Sequence, residues 1–151
     1  MTDECYEAKQ WMRRVHVIAK RVESNERMLE VLENRVNAAV AKYENSGATV
    51  DREQAQKRRD DELLEYCEQK AKVERSRNLL SKETHKVRRV ISKVDEPILE
   101  EILTNRYINR LAWNDVVRIS NYSRAQVFRF HGQGLEKVAR ILKEEGRINV
   151  N

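Results

Sequence analysis

Between Asn121 and Gly134 the chain reads NYSRAQVFRFHGQG, which brings two arginines, two glutamines, a histidine and two of the four glycines into 14 residues. Side chains of these types suit two kinds of chemistry. A glycine-rich loop can cradle a phosphate with its backbone N–H groups, whereas arginine and glutamine projecting from a helix can make paired hydrogen bonds to guanine and adenine. The phosphate loop needs a preceding strand and a full G-x-G-x-x-G, and the sequence offers neither. The helix has local support. Ser123 and Gln126 form S-x-x-Q, a capping box in which each side chain satisfies an orphaned backbone donor, so the helix is expected to start at Arg124. From there Val127, Phe130, Leu135, Val138 and Leu142 fall on one side, and Arg124, Gln126 and Arg129 on the other. No carboxylate or nucleophile is placed beside His131 by sequence, so proton-transfer catalysis is not expected and the chain does not read as an enzyme. Cys5 and Cys67 have no CxxC pattern and no histidine at metal spacing. They read as reduced, partly buried thiols, with no metal and no cofactor expected.

The elements around this stretch have to present it. Asn121 can take the left-handed conformation of a tight inter-helix turn. Before it, residues 113 to 120 form a short helix expected to bury Trp113, Val116, Val117 and Ile119. A further helix at about 97 to 109 has Ile98, Leu99, Ile102, Leu103, Tyr107 and Ile108 as its apolar side. Helix, turn and basic helix is the arrangement that fits a DNA major groove. Gly132 and Gly134 then lie inside the last helix, where their missing side chains are expected to admit another helix closely. Residues 103 to 143 hold eight basic side chains against only Asp115 and Glu136, a local footprint for a polyanion.

Upstream, 36% charged residues and a mean hydropathy of −0.82 leave little for a thick core and favour long amphipathic helices. Trp11, Val15, Ile18, Val22, Asn25, Leu29, Leu32, Val36, Ala39 and Tyr43 recur at heptad spacing, with Asn25 either setting register or turned to solvent. ENSGATVD, residues 44 to 51, breaks this helix, with Gly47 suited to a left-handed end and Thr49 or Asp51 to the next cap. A second stripe follows through Leu63, Tyr66, Lys70, Val73, Arg77, Leu80, Thr84, Val87, Ile91 and Val94. An antiparallel hairpin within the chain and a coiled coil between chains both fit these stripes. Lys82, Lys86, Arg88, Arg89 and Lys93 form a basic run that reads as a solvated face or as a phosphate contact. Asp95-Glu96-Pro97 ends the second arm. The expected fold is therefore all-α: a long N-terminal helical hairpin over 1–94, a three-helix helix-turn-helix domain over 95–145 and a flexible tail over 146–151. No apolar run is long enough for a membrane span, and the N-terminus lacks a signal-peptide pattern, so a cytoplasmic protein with no membrane partner is expected.

The residues RYINRLAWNDVVRISNYSRAQVFRFHGQGLEKVARIL resemble the promoter-reading helix-turn-helix at the C-terminal end of bacterial sigma factors, the region 4-like fold. More closely, they resemble the RinA and ArpU-like phage and prophage transcriptional regulators. The matching features are R-Y-I at 106 to 108, Trp113, Tyr122-Ser123, Val127, His131-Gly132 and Leu135, over about 40 residues. Ala112 departs from the usual capping Ser or Thr, so Asn114 or Asp115 is expected to help. Val117 stands where a small residue is usual, with Gly134 as a compensating loss of volume. The resemblance implies a DNA-binding transcription regulator of a phage or prophage, an activator of late genes, acting in a bacterial host cell. Carried over by position, it implies Ser123, Arg124, Gln126 and Arg129 as DNA-facing residues, with Arg118, His131 and Gln133 at the periphery. It further implies double-stranded DNA, RNA polymerase and a second copy of the chain as partners. A phage packaging or scaffold protein, using its coiled coil and looser DNA contact, is the alternative.

Overall fold

The computed structural model describes residues 2–47 and 49–148, and every regular element among them is helical. In order these are α1 (Asp3–Met12), α2 (Arg14–Glu44), α3 (Thr49–Ser92), α4 (Pro97–Leu103), a π-helical turn (Thr104–Ile108), α5 (Trp113–Ser120) and α6 (Arg124–Glu144). Two compact units emerge. One gathers residues 1–18 with 80–151, and the other spans 19–79. The division thus cuts across both long helices, and the expected boundary near Pro97 is not where it falls.

In the unit of residues 19–79, α2 and α3 run antiparallel within one chain. The expected α2 stripe is inward: Val22, Leu32 and Ala39 are buried, and so is Asn25. The backbone oxygen of Asn25 accepts a 3.0 Å hydrogen bond from Gln69 Nε2, and Glu26 pairs with Arg77 at 2.8 Å. On α3 the phase differs from the expected one. Ala55, Val73 and Ser76 are buried, while Leu63, Lys70 and Arg77 are exposed. Tyr66 and Val73 belong to both phases, but the alternate positions are Glu62, Gln69 and Ser76. The inward phase is the less apolar one, and two of its three polar residues are hydrogen-bonded, while Glu62 Oε2 is buried with no partner among the described residues. Ser76 Oγ donates to Val73 O at 2.8 Å, and Gln69 reaches Asn25. Gly47 does not take a left-handed φ. Ala48 lies outside the described residues, as do the side chains of Thr49 and Val50, so the expected cap at Thr49 falls there. Cys67 is exposed, not partly buried.

The other unit is built on α6. Cys5, Ala8, Trp11, Met12 and Val15 from the N-terminal segment share one core with Val87, Val90, Ile91 and Val94, with Leu99, Leu103 and Tyr107, and with Leu135, Val138, Ala139 and Leu142. Thr2 caps α1 by accepting from Cys5 N at 3.2 Å. Arg13, between α1 and α2, keeps right-handed helical angles, so the two helices follow one another as one bent helix. Glu83 is buried, and its carboxylate takes Arg14 at 2.8 Å and Lys86 at 3.2 Å. Burial alone would raise the Glu83 carboxyl, but the two cations outweigh it and hold it below its usual range. Asp95 turns the chain out of α3 with φ 57°, Pro97 starts α4, and Lys137 pairs with Glu96. Residues 146 to 148, expected in a flexible tail, pack back on the core. Gly146 has φ +68°, Arg147 N donates to Leu142 O at 2.8 Å, and Ile148 is buried in the main core. Asn149 to Asn151 lie outside the described residues.

Candidate nucleic-acid interface

The helix-turn-helix is formed by α5, a turn and α6. α5 ends at Asn121, whose φ of 63° and ψ of 17° are the left-handed values that its short amide tolerates. Ser120, itself buried, secures the turn by donating to Val117 O at 2.8 Å and accepting from Tyr122 N at 3.1 Å. The capping box is present: Gln126 N donates to Ser123 Oγ at 3.2 Å, and Ser123 N donates to Gln126 Oε1 at 3.3 Å. At the other junction Ala112 caps α5 with no side-chain bond. Asn114 and Asp115 do not replace it, since Asn114 Oδ1 accepts from Arg124 and Asp115 Oδ1 from Arg118.

Beneath this surface Ile102, Val116 and Val127 form a small core, flanked by Ile98, Leu111, Trp113, Val117 and Phe130. Trp113, expected inside, is partly buried and gathers several side chains around its ring. Phe128 lies 4.8 Å from its ring, His131 meets it edge-on at 4.6 Å, and the Arg106 guanidinium sits over it at 4.7 Å. Ile119, expected inside, is exposed, because the eight residues of α5 turn Val116 and Ser120 inward instead. Gly134 permits a close approach, though not the expected one. A Cβ there would meet three Leu103 side-chain carbons at 3.1 to 3.3 Å, so it is Leu103, not Val117, that needs the space. A Cβ on Gly132 would meet nothing within 4 Å, so no helix crosses there.

Of the seven expected site residues, six are exposed: Arg118, Ser123, Arg124, Gln126, Arg129 and Gln133. Arg124 reaches across the turn to Asn114 at 2.8 Å and lies over Phe128. Among the described residues Arg129 makes only a long cation–π contact, 5.9 Å from the Phe130 ring centroid. Gln126 presents a constraint that spacing alone did not reveal. Its Oε1 serves the capping box, so a paired contact to adenine, which needs that oxygen, would have to open the box. His131 is a correction. It lies one helical turn after Val127 on the inward face, is 6% exposed, and shares a 2.6 Å hydrogen bond with the Tyr107 hydroxyl. Burial, with Lys9 and Arg106 nearby, lowers its pKa to about 4, and burial raises that of Tyr107 to about 12. Both are therefore neutral near pH 7, and His131 cannot hold a phosphate as an imidazolium. The features missed by sequence reading are the π-helical turn, closed by Asn109 N donating to Thr104 O at 2.9 Å, and the positive φ of Arg110. Neither has a local signal, as no glycine or proline stands at either.

Among the described residues no group of histidine, cysteine and carboxylate side chains could hold a metal ion, and no helix is long and apolar enough to cross a membrane. No curated protein and no solved structure matches the chain. Residues 45–138 match a family described as Protein of unknown function (DUF1492), a span from the end of the first hairpin arm into α6 that covers more than half of the sequence, and the chain belongs to that family.

Proposed function

We propose that this protein is a sequence-specific DNA-binding regulator of the phage or prophage type, with the first turns of α6 entering the major groove. The observation that carries the reading is the pairing of a capped helix start with exposed, cationic Arg124 and Arg129 behind a left-handed two-helix turn. In this reading Arg129 is the base reader, free to make a bidentate contact to guanine. Arg124, tied to Asn114, and Arg118, paired to Asp115, hold backbone phosphates. Ser123 and Gln126 set the start of the helix, and Gln133 lies further along its exposed side.

Selection of bound sequences from random DNA, followed by titration of Arg129→Ala on the selected site, tests this. The substitution should weaken binding by about 1–3 kcal/mol and relax preference at one position. Unchanged affinity and preference across several salt concentrations would remove the base-reading role.

A second reading is favoured by the exposed apolar side chains of the hairpin. Met28, Val31, Leu63 and Leu64 are 48%, 45%, 38% and 62% exposed in a unit otherwise covered with charge. They suit association through the hairpin, either of two copies of a regulator bound to a split site or within a phage packaging or scaffold assembly. RNA polymerase is the further partner of the regulator. Equal affinity for selected and random DNA would favour the assembly reading.

A further inference from the structure

A cavity of about 170 Å³ opens beside the π-helical turn, walled by Lys9, Arg13, His16, Arg106, Tyr107 and Arg110. No carboxylate is in its wall. Lys9 and Arg13 stand four residues apart at the end of α1, and Arg106 of the π turn lines the same cavity, so the fold brings three cations together. Like charges four apart on a helix, as Lys9 and Arg13 are, repel and weaken it unless an anion lies between. His16 and Arg110 each have an interaction of their own, so the weight falls on Lys9, Arg13 and Arg106. Neither Lys9 nor Arg13 forms an ion pair with another described residue, and Arg106 donates only to a backbone oxygen, Leu111 O, at 2.9 Å. That bond and the Trp113 ring fix the Arg106 guanidinium as a planar fork, the geometry that matches an oxyanion.

We propose that this cavity binds a single phosphate group, whose charge joins the N-terminal segment to the π turn. Size selects the group. Pockets for nucleotide- or drug-sized ligands run from about 300 to 1,000 Å³, so this one admits a phosphate and little more. Tyr107 gives the wall a neutral side, since its hydroxyl is engaged by buried His131. The phosphate can come from a nucleic-acid backbone or from a small free molecule. Neither source requires α6 to read bases.

The full chain is melted in rising inorganic phosphate, with sodium chloride holding ionic strength constant. The expected result is a saturable rise in Tm, about 3 to 6 °C at tenfold excess over the dissociation constant. Arg13→Gln and Lys9→Gln, made separately so that one remains informative if the other misfolds, should each lose most of that rise. Superimposable melts in phosphate and chloride, or a full phosphate response in both variants, would overturn the assignment. Duplex binding then distinguishes the sources. If saturating phosphate weakens duplex binding by the parent but not by Arg13→Gln, a backbone phosphate fills the cavity. If duplex affinity is indifferent to phosphate while the Tm rise persists, the ligand is a free phosphate. Arg129→Ala should leave the phosphate response intact, so failure of the base-reading role and failure of this site give different results.

Discussion

His131 and Arg129 sit two positions apart on α6 and have opposite fates, which the structure explains by face. Arg129 points to solvent with its charge available, whereas His131 is buried against Trp113 and Tyr107. A histidine with a lowered folded-state pKa makes stability depend on pH in one direction. Between about 6.5 and 4 the unfolded chain binds the proton that the folded chain refuses, so stability is full above the unfolded value and declines as pH falls toward 4. The decline is of order 3 kcal/mol for this group. Proton NMR of the His131 ring should give a midpoint near 4, with Tm falling over the same window. A midpoint above 6 would mean that the imidazole is hydrated and able to face a phosphate after all.

At the scale of the element, α6 carries two glycines that the sequence treats alike and the packing does not. Replacing a helical glycine by alanine gains about 1 kcal/mol from backbone entropy when the new methyl meets no obstacle. Gly132→Ala meets none and should raise the urea midpoint accordingly. Gly134→Ala drives its methyl to within 3.1 Å of Leu103, a fully buried side chain that would have to move by a few tenths of an ångström. Overpacking of this kind costs about 1–3 kcal/mol, enough to cancel or reverse the gain. Equal stabilisation by the two changes would show that α4 can shift away from α6. The α3 stripe makes the same point about phase. Half of its positions belong to both candidate seams, and the Gln69 bond to Asn25 across to α2 goes with the phase that buries Ser76.

For the whole molecule, the consequence lies in which segments share a core. The helix-turn-helix does not close on itself. Leu135, Val138, Ala139 and Leu142 of α6 are covered by residues 5 to 15, so residues 95–151 alone would expose the underside of the proposed recognition helix. Each large apolar side chain so uncovered costs about 1.5–3 kcal/mol, and together they rival the typical stability of a domain, about 5–15 kcal/mol. Deleting residues 1–18 should therefore abolish cooperative unfolding as followed by circular dichroism. A truncated chain that still melts cooperatively and binds DNA would show that α4 to α6 suffice. The hairpin unit invites a separate measurement. Leu64→Asp should convert a dimer to a monomer in sedimentation equilibrium without loss of helicity, and a parent that is monomeric at high concentration would remove the hairpin as a dimer surface.

Local chemistry was legible from the residues alone. The capping box at Ser123 and Gln126, the left-handed Asn121, the start of α4 at Pro97 and the inward stripe of α2 each follow from bonds or steric limits spanning four or fewer residues, or from a repeat that survives in any packing. What required the tertiary structure was every question of which neighbour lies across a gap. The polar seam of α3, the burial of His131, the docking of α1 on α6 and the meeting of Lys9 and Arg13 with Arg106 join residues far apart in the chain. No periodicity encodes such pairings, because they are decided by which buried groups can satisfy one another.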